Sequence, residues 1–163
     1  MDNAPENDVV RLTAIWTTNE NGQIQSAFDV AQPVILECEY CVLNDKQLSI
    51  ALEFASDKGI LLFIAHDDYI RGPWGKQKAK SKGLYLARFF LPKHLFHDGA
   101  IQISVTIYSP PAAADTSLQL KQIHPFAFTM YESFNEDSAR GSFPHSWGSP
   151  ALRPYINYVT ERT

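Results

Sequence analysis

Apolar and polar residues alternate with a period of two along much of the chain. In "AIQISVTIYS" (residues 100–109), Ile101, Ile103, Val105 and Ile107 share one side, and Gln102, Ser104, Thr106 and Tyr108 share the other. Successive strand side chains point to opposite faces, so this is a strand with one dry face and one wet face. In "VILECEYCVL" (34–43), Val34, Leu36, Cys38, Tyr40 and Val42 oppose Glu37 and Glu39 in the same way. "ILLFIA" (60–65) is apolar on both faces and is expected in a central or covered position. No segment sustains a 3.6 period, so any helix is short. "LPKHLFHDG" (91–99) has room for one helical turn, opened by Pro92 and closed by Gly99.

Turn signals separate these runs. Asn21-Gly22 follows "VVRLTAIWTT" (9–18) and is the strongest hairpin cue in the chain. "NDKQ" (44–47) leads into "LSIALEFAS" (48–56), and "DKG" (57–59) divides that strand from "ILLFIAHDD" (60–68). "GLYLARFFLP" (83–92), "LQLKQI" (118–123) and "FAFTMYES" (126–133) complete a set of eight or nine strands. Two antiparallel sheets packed face to face bury such a set most economically. The fold class is therefore all-β, an antiparallel sandwich. Residues 1–8 are polar and read as a frayed leader, residues 9–139 as the sandwich. Residues 140–163, "RGSFPHSWGSPALRPYINYVTERT", read as an extended arm ending in a β-prone strand.

With 163 residues, 45% of them apolar and 20% charged, the chain suits one soluble domain with a sizeable core. A net charge of −4 argues against a nucleic-acid partner. "MDNAPENDVV" lacks the basic and apolar regions of a secretion signal, so a cytoplasmic location is expected. Cys38 and Cys41 form a C-x-x-C spacing, but on a strand that separation puts the thiols on opposite faces roughly 10 Å apart. A disulfide or a shared metal does not fit that geometry.

Catalytic motifs fail on inspection. "IRGPWGKQ" (70–77) has Gly75-Lys76, but Ile70 replaces the first glycine and Gln77 the hydroxyl of a phosphate-binding loop. GxSxG is missing, and the five histidines show no HExxH spacing. His66 with Asp67 and Asp68, joined by His94 or His97, would suit a cupin-like metal enzyme; a strand end and a turn account for the same residues. What remains is a wet face carrying aromatic and hydrogen-bonding groups. Sugars are held by flat rings against C–H faces and by planar polar groups against hydroxyls. Gln102, Ser104, Thr106 and Tyr108 offer that chemistry, and Glu37, Glu39 and Glu53 are candidates for further acceptors. Tyr85 joins them if its strand pairs with theirs, and Trp74 in the loop "RGPWGKQK" (71–78) is a further ring. A solvated strand face, or a surface for a protein partner, explains the same residues.

The order and spacing of these segments resemble a known family. The elements that carry it are "VVRLTAIWTTNENGQ", "FDVAQPVILECEY", "ALEFASDKGILLFIAHDD", "GLYLARFFLPKHLFHDGAIQISVTIY", "FAFTMYES" and "RGSFPHSWGSPALRPYINY", across residues 9–159. Together they resemble the carboxy-terminal carbohydrate-binding domain of Wzt-type ATP-binding proteins, from ABC transporters that export O-antigen and related polysaccharides. The resemblance implies a dimeric, non-catalytic sandwich of the immunoglobulin-like or jelly-roll kind, without a cofactor. It would bind a finished glycan at the cytoplasmic side of the inner membrane, and its partners would be the transporter's ATPase domain and membrane subunit. It also implies a last strand exchanged between protomers, with Tyr155, Ile156 and Tyr158 at the dimer interface. The family's ATPase half has no counterpart in this sequence.

Overall fold

The computed structural model describes residues 7–66, 80–109, 117–121 and 125–133. Nine strands are formed among them: β1 (Val10–Thr18), β2 (Ala27–Asp29), β3 (Val34–Val42), β4 (Ser49–Ser56), β5 (Leu61–His66), β6 (Gly83–Leu91), β7 (Gly99–Ser109), β8 (Ser117–Lys121) and β9 (Phe126–Tyr131). They form two sheets. The three-stranded sheet runs β1-β3-β6, and the six-stranded sheet runs β2-β9-β7-β4-β5, with β8 also paired to β7. Every pairing is antiparallel except β2 with β9. The protein is an all-β sandwich, as the alternation of its sequence implies. No helix among the described residues is long and apolar enough to cross a membrane.

The inner faces share one core. Leu12, Leu36, Cys38 and Tyr40 of the smaller sheet and Ile50, Leu52, Phe54, Ile101, Ile103, Val105 and Ile107 of the larger are all buried in it. Fully burying a side chain of this kind contributes about 1.5–3 kcal/mol. The two halves of β7's far edge are shared, β9 taking Gly99 to Ile103 and β8 taking Thr106 to Ser109. β4 pairs along the other edge from Ser49 opposite Tyr108 to Ser56 opposite Ile101. β7 is thus the central strand of the wide sheet, which is why Ile101, Ile103, Val105 and Ile107 on its dry side are all fully buried.

Three local expectations are corrected. The turn at Asn21-Gly22 forms, with Gly22 at φ 74° and a bridge from Thr18 to Ile24. It does not make a hairpin of two sheet neighbours: β1 pairs with β3, and β2 crosses to join β9 in the other sheet. Secondly, β5 is not central. It is an edge of the six-stranded sheet among the described strands, with Leu61 and Ile64 exposed. Its run of apolar residues suits a strand whose inner side packs, as Phe63 stacks on Phe54 with centroids 4.4 Å apart, while its outer side does not. Thirdly, Lys93 to Leu95 make a turn, not a helical one, with His94 at φ 60°. The turn inserts Phe96, only 1% exposed, between the sheets.

The cysteines lie as the strand geometry requires. Cys38 faces the core and Cys41 the outer side of β3, and both are free thiols. Burial pushes the Cys38 thiol up to about 12, so it stays protonated at neutral and mildly alkaline pH. Thiolate is the reactive species. Alkylation of the folded protein with iodoacetamide at mildly alkaline pH is expected to modify Cys41 and spare Cys38, and peptide mass spectrometry reads the result.

Candidate functional site

The wet side of β7 forms the centre of the six-stranded sheet's outer face. Gln102, Ser104 and Thr106 stand in line there, half-buried, while the intervening Ile103 and Val105 are fully buried beneath them. Register sets their neighbours. Gln102 lies between Ala55 of β4 and Ala127 of β9, and Ser104 lies beside Glu53. Thr106 lies between Ala51 and Lys121. Ala55 and Ala127 are short, so the Gln102 amide between them is not overtopped. Lys121 Nζ approaches Glu53 Oε1 at 3.7 Å, with both side chains partly exposed. Such a pair adds little stability, which leaves a donor and an acceptor free to exchange for a ligand's groups. The Gln102 amide donates to the Asp57 carbonyl at 3.5 Å, the long limit of a hydrogen bond, so it too is only lightly held.

Tyr108 closes this row from below the surface. It is buried, and its hydroxyl lies 3.1 Å from His66 Nδ1. The two rings meet edge-on at 6.0 Å. The arrangement braces the ends of β5 and β7 against each other across β4. Tyr108 therefore shapes the end of the face more than it presents a ring to solvent. Thr106 Oγ1 beside it is buried and has no hydrogen-bond partner among the described residues.

The structure does not bring Tyr85 to this face. β6 pairs with β3 in the other sheet, and Tyr85 sits directly opposite Tyr40 on that sheet's inner side. Their rings stack with centroids 5.7 Å apart. The Tyr85 hydroxyl donates to the Ser81 carbonyl at 2.9 Å. Chain neighbours β6 and β7 are divided between layers because the turn through Phe96 crosses the core. Trp74, Asp67, Asp68, Tyr155, Ile156 and Tyr158 lie outside the described residues.

The histidines of the metal-site reading are not gathered. His66 belongs with the end of β7 near Tyr108, whereas His94 and His97 precede its start at Gly99. At the rise of a strand that separation is on the order of 25 Å. Among the described residues no three His, Cys, Asp or Glu side chains are grouped to hold a metal ion.

No family model matches the sequence. No curated protein matches it either. A solved structure does: the crystal structure of the C-terminal domain of Wzt aligns at a TM-score of 0.74, covering 96% of this chain and 86% of that one at 11% identity. The fold is that of the C-terminal domain of Wzt. At 11% identity the likeness to Wzt concerns the fold alone.

One constellation escaped sequence reasoning. On the outer face of the three-stranded sheet, Trp16 of β1, Glu37 of β3 and Arg88 of β6 form a row. The indole Nε1–H donates to Glu37 Oε2, and Arg88 Nε donates to Glu37 Oε1, each at 2.6 Å. The alternation in "VILECEYCVL" marks Glu37 as outward-facing. Nothing in the sequence pairs it with Trp16, because a bulge between Leu12 and Ala14 shifts the register of β1.

Proposed function

We propose that this chain is a non-catalytic glycan-recognition domain that recruits an O-antigen-type polysaccharide to an ABC exporter. The observation that carries the reading is the Wzt-like fold over nearly the whole chain, in agreement with the family resemblance of the segments that build it. The outer face of the six-stranded sheet supplies suitable chemistry. Gln102 and Ser104 would hydrogen-bond sugar hydroxyls, Glu53 and Lys121 would add an acceptor and a donor, and Thr106, whose Oγ1 is buried, would line the row while Tyr108 braces its end. Trp74, in the chain segment that follows β5, would contribute a ring. Tyr85 belongs to the other sheet's inner side and has no part in this face. Recruitment raises the local glycan concentration beside the transporter's ATPase domain and membrane subunit, at the cytoplasmic side of the inner membrane. No metal or cofactor is needed for it.

A homodimer belongs to the same proposal. Among the described strands the smaller sheet has three against six, and β6 is one of its two edges. Tyr85, Ala87 and Phe89 face inward there yet are only half-buried. An added strand would satisfy the edge hydrogen bonds and cover these residues. The terminal segment "SPALRPYINYV" (149–159) of a second copy is the strand we assign to it, with Tyr155, Ile156 and Tyr158 at the interface; strand exchange is an economical route to a dimer. Ile156→Asp is expected to convert the dimer into a folded monomer in sedimentation equilibrium. A mass unchanged from the parent would remove this segment from the interface.

Calorimetric titration of the chain with purified bacterial O-polysaccharides tests the function itself. Saturable binding to one polymer and not to others is the expected result. Absence of binding to the whole set by the folded protein would point to a protein partner for the same face.

A further inference from the structure

We infer that the outer face of the three-stranded sheet carries a second saccharide subsite, built on Trp16, Glu37, Glu39 and Arg88, for an uncharged, hydroxyl-rich sugar ring. The inference rests on the glycan-recognition reading and extends it to the opposite side of the sandwich.

Glu37 is the first observation. It lies on an outer face yet is only 9% exposed. Its carboxylate is held by the indole N–H of Trp16 on one side and by Arg88 Nε on the other. Two charge-assisted bonds from two strands fix an aromatic ring and a guanidinium in one orientation before any ligand arrives. Arg88 spends only its Nε in this contact, and its side chain is 56% exposed. Its two terminal nitrogens make no hydrogen bond among the described residues, so a pair of planar donors is left for a ligand.

Glu39 is the second. It is two residues along the same strand and the same face, and one of its oxygens accepts from Thr13 Oγ1 at 2.8 Å. The described residues give its other oxygen no donor. The site thus pairs a rigid ring with forked donors and an open acceptor, side by side across one strand. Apolar neighbours Leu86 and Phe90 stand exposed beside Glu39 and Arg88 on β6. A pyranose has the same division, with C–H groups on its faces and adjacent hydroxyls at its rim, each able both to donate and to accept.

Charge selects the class of sugar. Among the described residues of β1, β3 and β6, the ionic groups on this face, Arg11, Glu37, Glu39 and Arg88, sum to zero, and Glu37 directly compensates Arg88. An acidic sugar would meet Glu39 without a net positive field to offset it. A neutral ring has no such cost.

The indole N–H of Trp16 is a direct reporter in 15N NMR spectra, assigned through Trp16→Phe. The full chain is titrated with the methyl glycosides of glucose, galactose, mannose and N-acetylglucosamine, and with glucuronic acid as the charged control. A saturable shift of the Trp16 indole signal with at least one neutral glycoside, and none with glucuronic acid, is expected. Glu39→Gln and Arg88→Lys, each with a parent-like amide spectrum, should weaken that affinity about tenfold, as for a lost hydrogen bond to a charged group. Shifts confined to the Gln102 to Thr106 amides would overturn the second subsite and leave the glycan reading standing. A silent indole together with silent β7 amides would count against both.

Discussion

Phe96→Ala is expected to destabilise the protein by about 3–5 kcal/mol, the range for truncating a buried aromatic. The residue comes from a turn, yet it is among the most buried side chains of the molecule. Its ring lies 6.2 Å from Phe54, 6.1 Å from Phe63 and 6.0 Å from Phe128. Phe128 in turn meets Phe28 edge-on at 5.9 Å. Phe96 is therefore the common member of an aromatic cluster that joins β4, β5 and β9 to the crossing between sheets. Alanine would leave a cavity that rigid neighbouring rings do not collapse to fill. Phe90→Ala is the matched control, because Phe90 is 72% exposed on the outer face of the smaller sheet. Its effect on stability should stay within about 0.5 kcal/mol. Urea unfolding measures both, and similar losses at the two positions would contradict the core described above.

The second large effect is on binding. The double variant Gln102→Ala, Ser104→Ala is expected to lower affinity for the cognate polysaccharide on the order of 100-fold, about tenfold for each hydrogen-bonding group lost. Neither residue packs in the core, and Gln102's amide makes only the long contact to Asp57. Stability should change by less than about 1 kcal/mol, so loss of binding would not be a folding artefact. Calorimetry against the polymer, with thermal unfolding of the same samples, separates the two quantities. Tyr108→Ala would be a poor substitute, because Tyr108 is buried against His66 and its removal changes packing as well as the face.

Period-two alternation made the strands and their wet and dry sides legible, since Ile101 to Ile107 must be buried together once they form a strand. Strand partners were less legible. Tyr85 and Tyr108 are close in sequence and chemically alike, yet a short crossing at Phe96 sends them to different sheets. Sequence proximity favours a hairpin there, and the gain from burying Phe96 between layers overrides it. β5 shows a related difficulty: an apolar run marks a central strand and a half-packed edge strand equally well. Trp16, Glu37 and Arg88 lie on three strands, separated by 21 and 51 residues, so only the pairing register brings them together.

A polysaccharide read by the outer face of the six-stranded sheet must perturb β4 and β7 before any other strand. The most direct test is a 15N NMR titration of the full chain with the O-polysaccharide that binds it in calorimetry, following the backbone amides of β4 and β7. Saturable shifts centred on Gln102, Ser104, Thr106 and Glu53 are expected, with the amides of the buried inner-facing residues of β3 little changed. Tight binding that leaves β4 and β7 unperturbed would contradict this placement of the site.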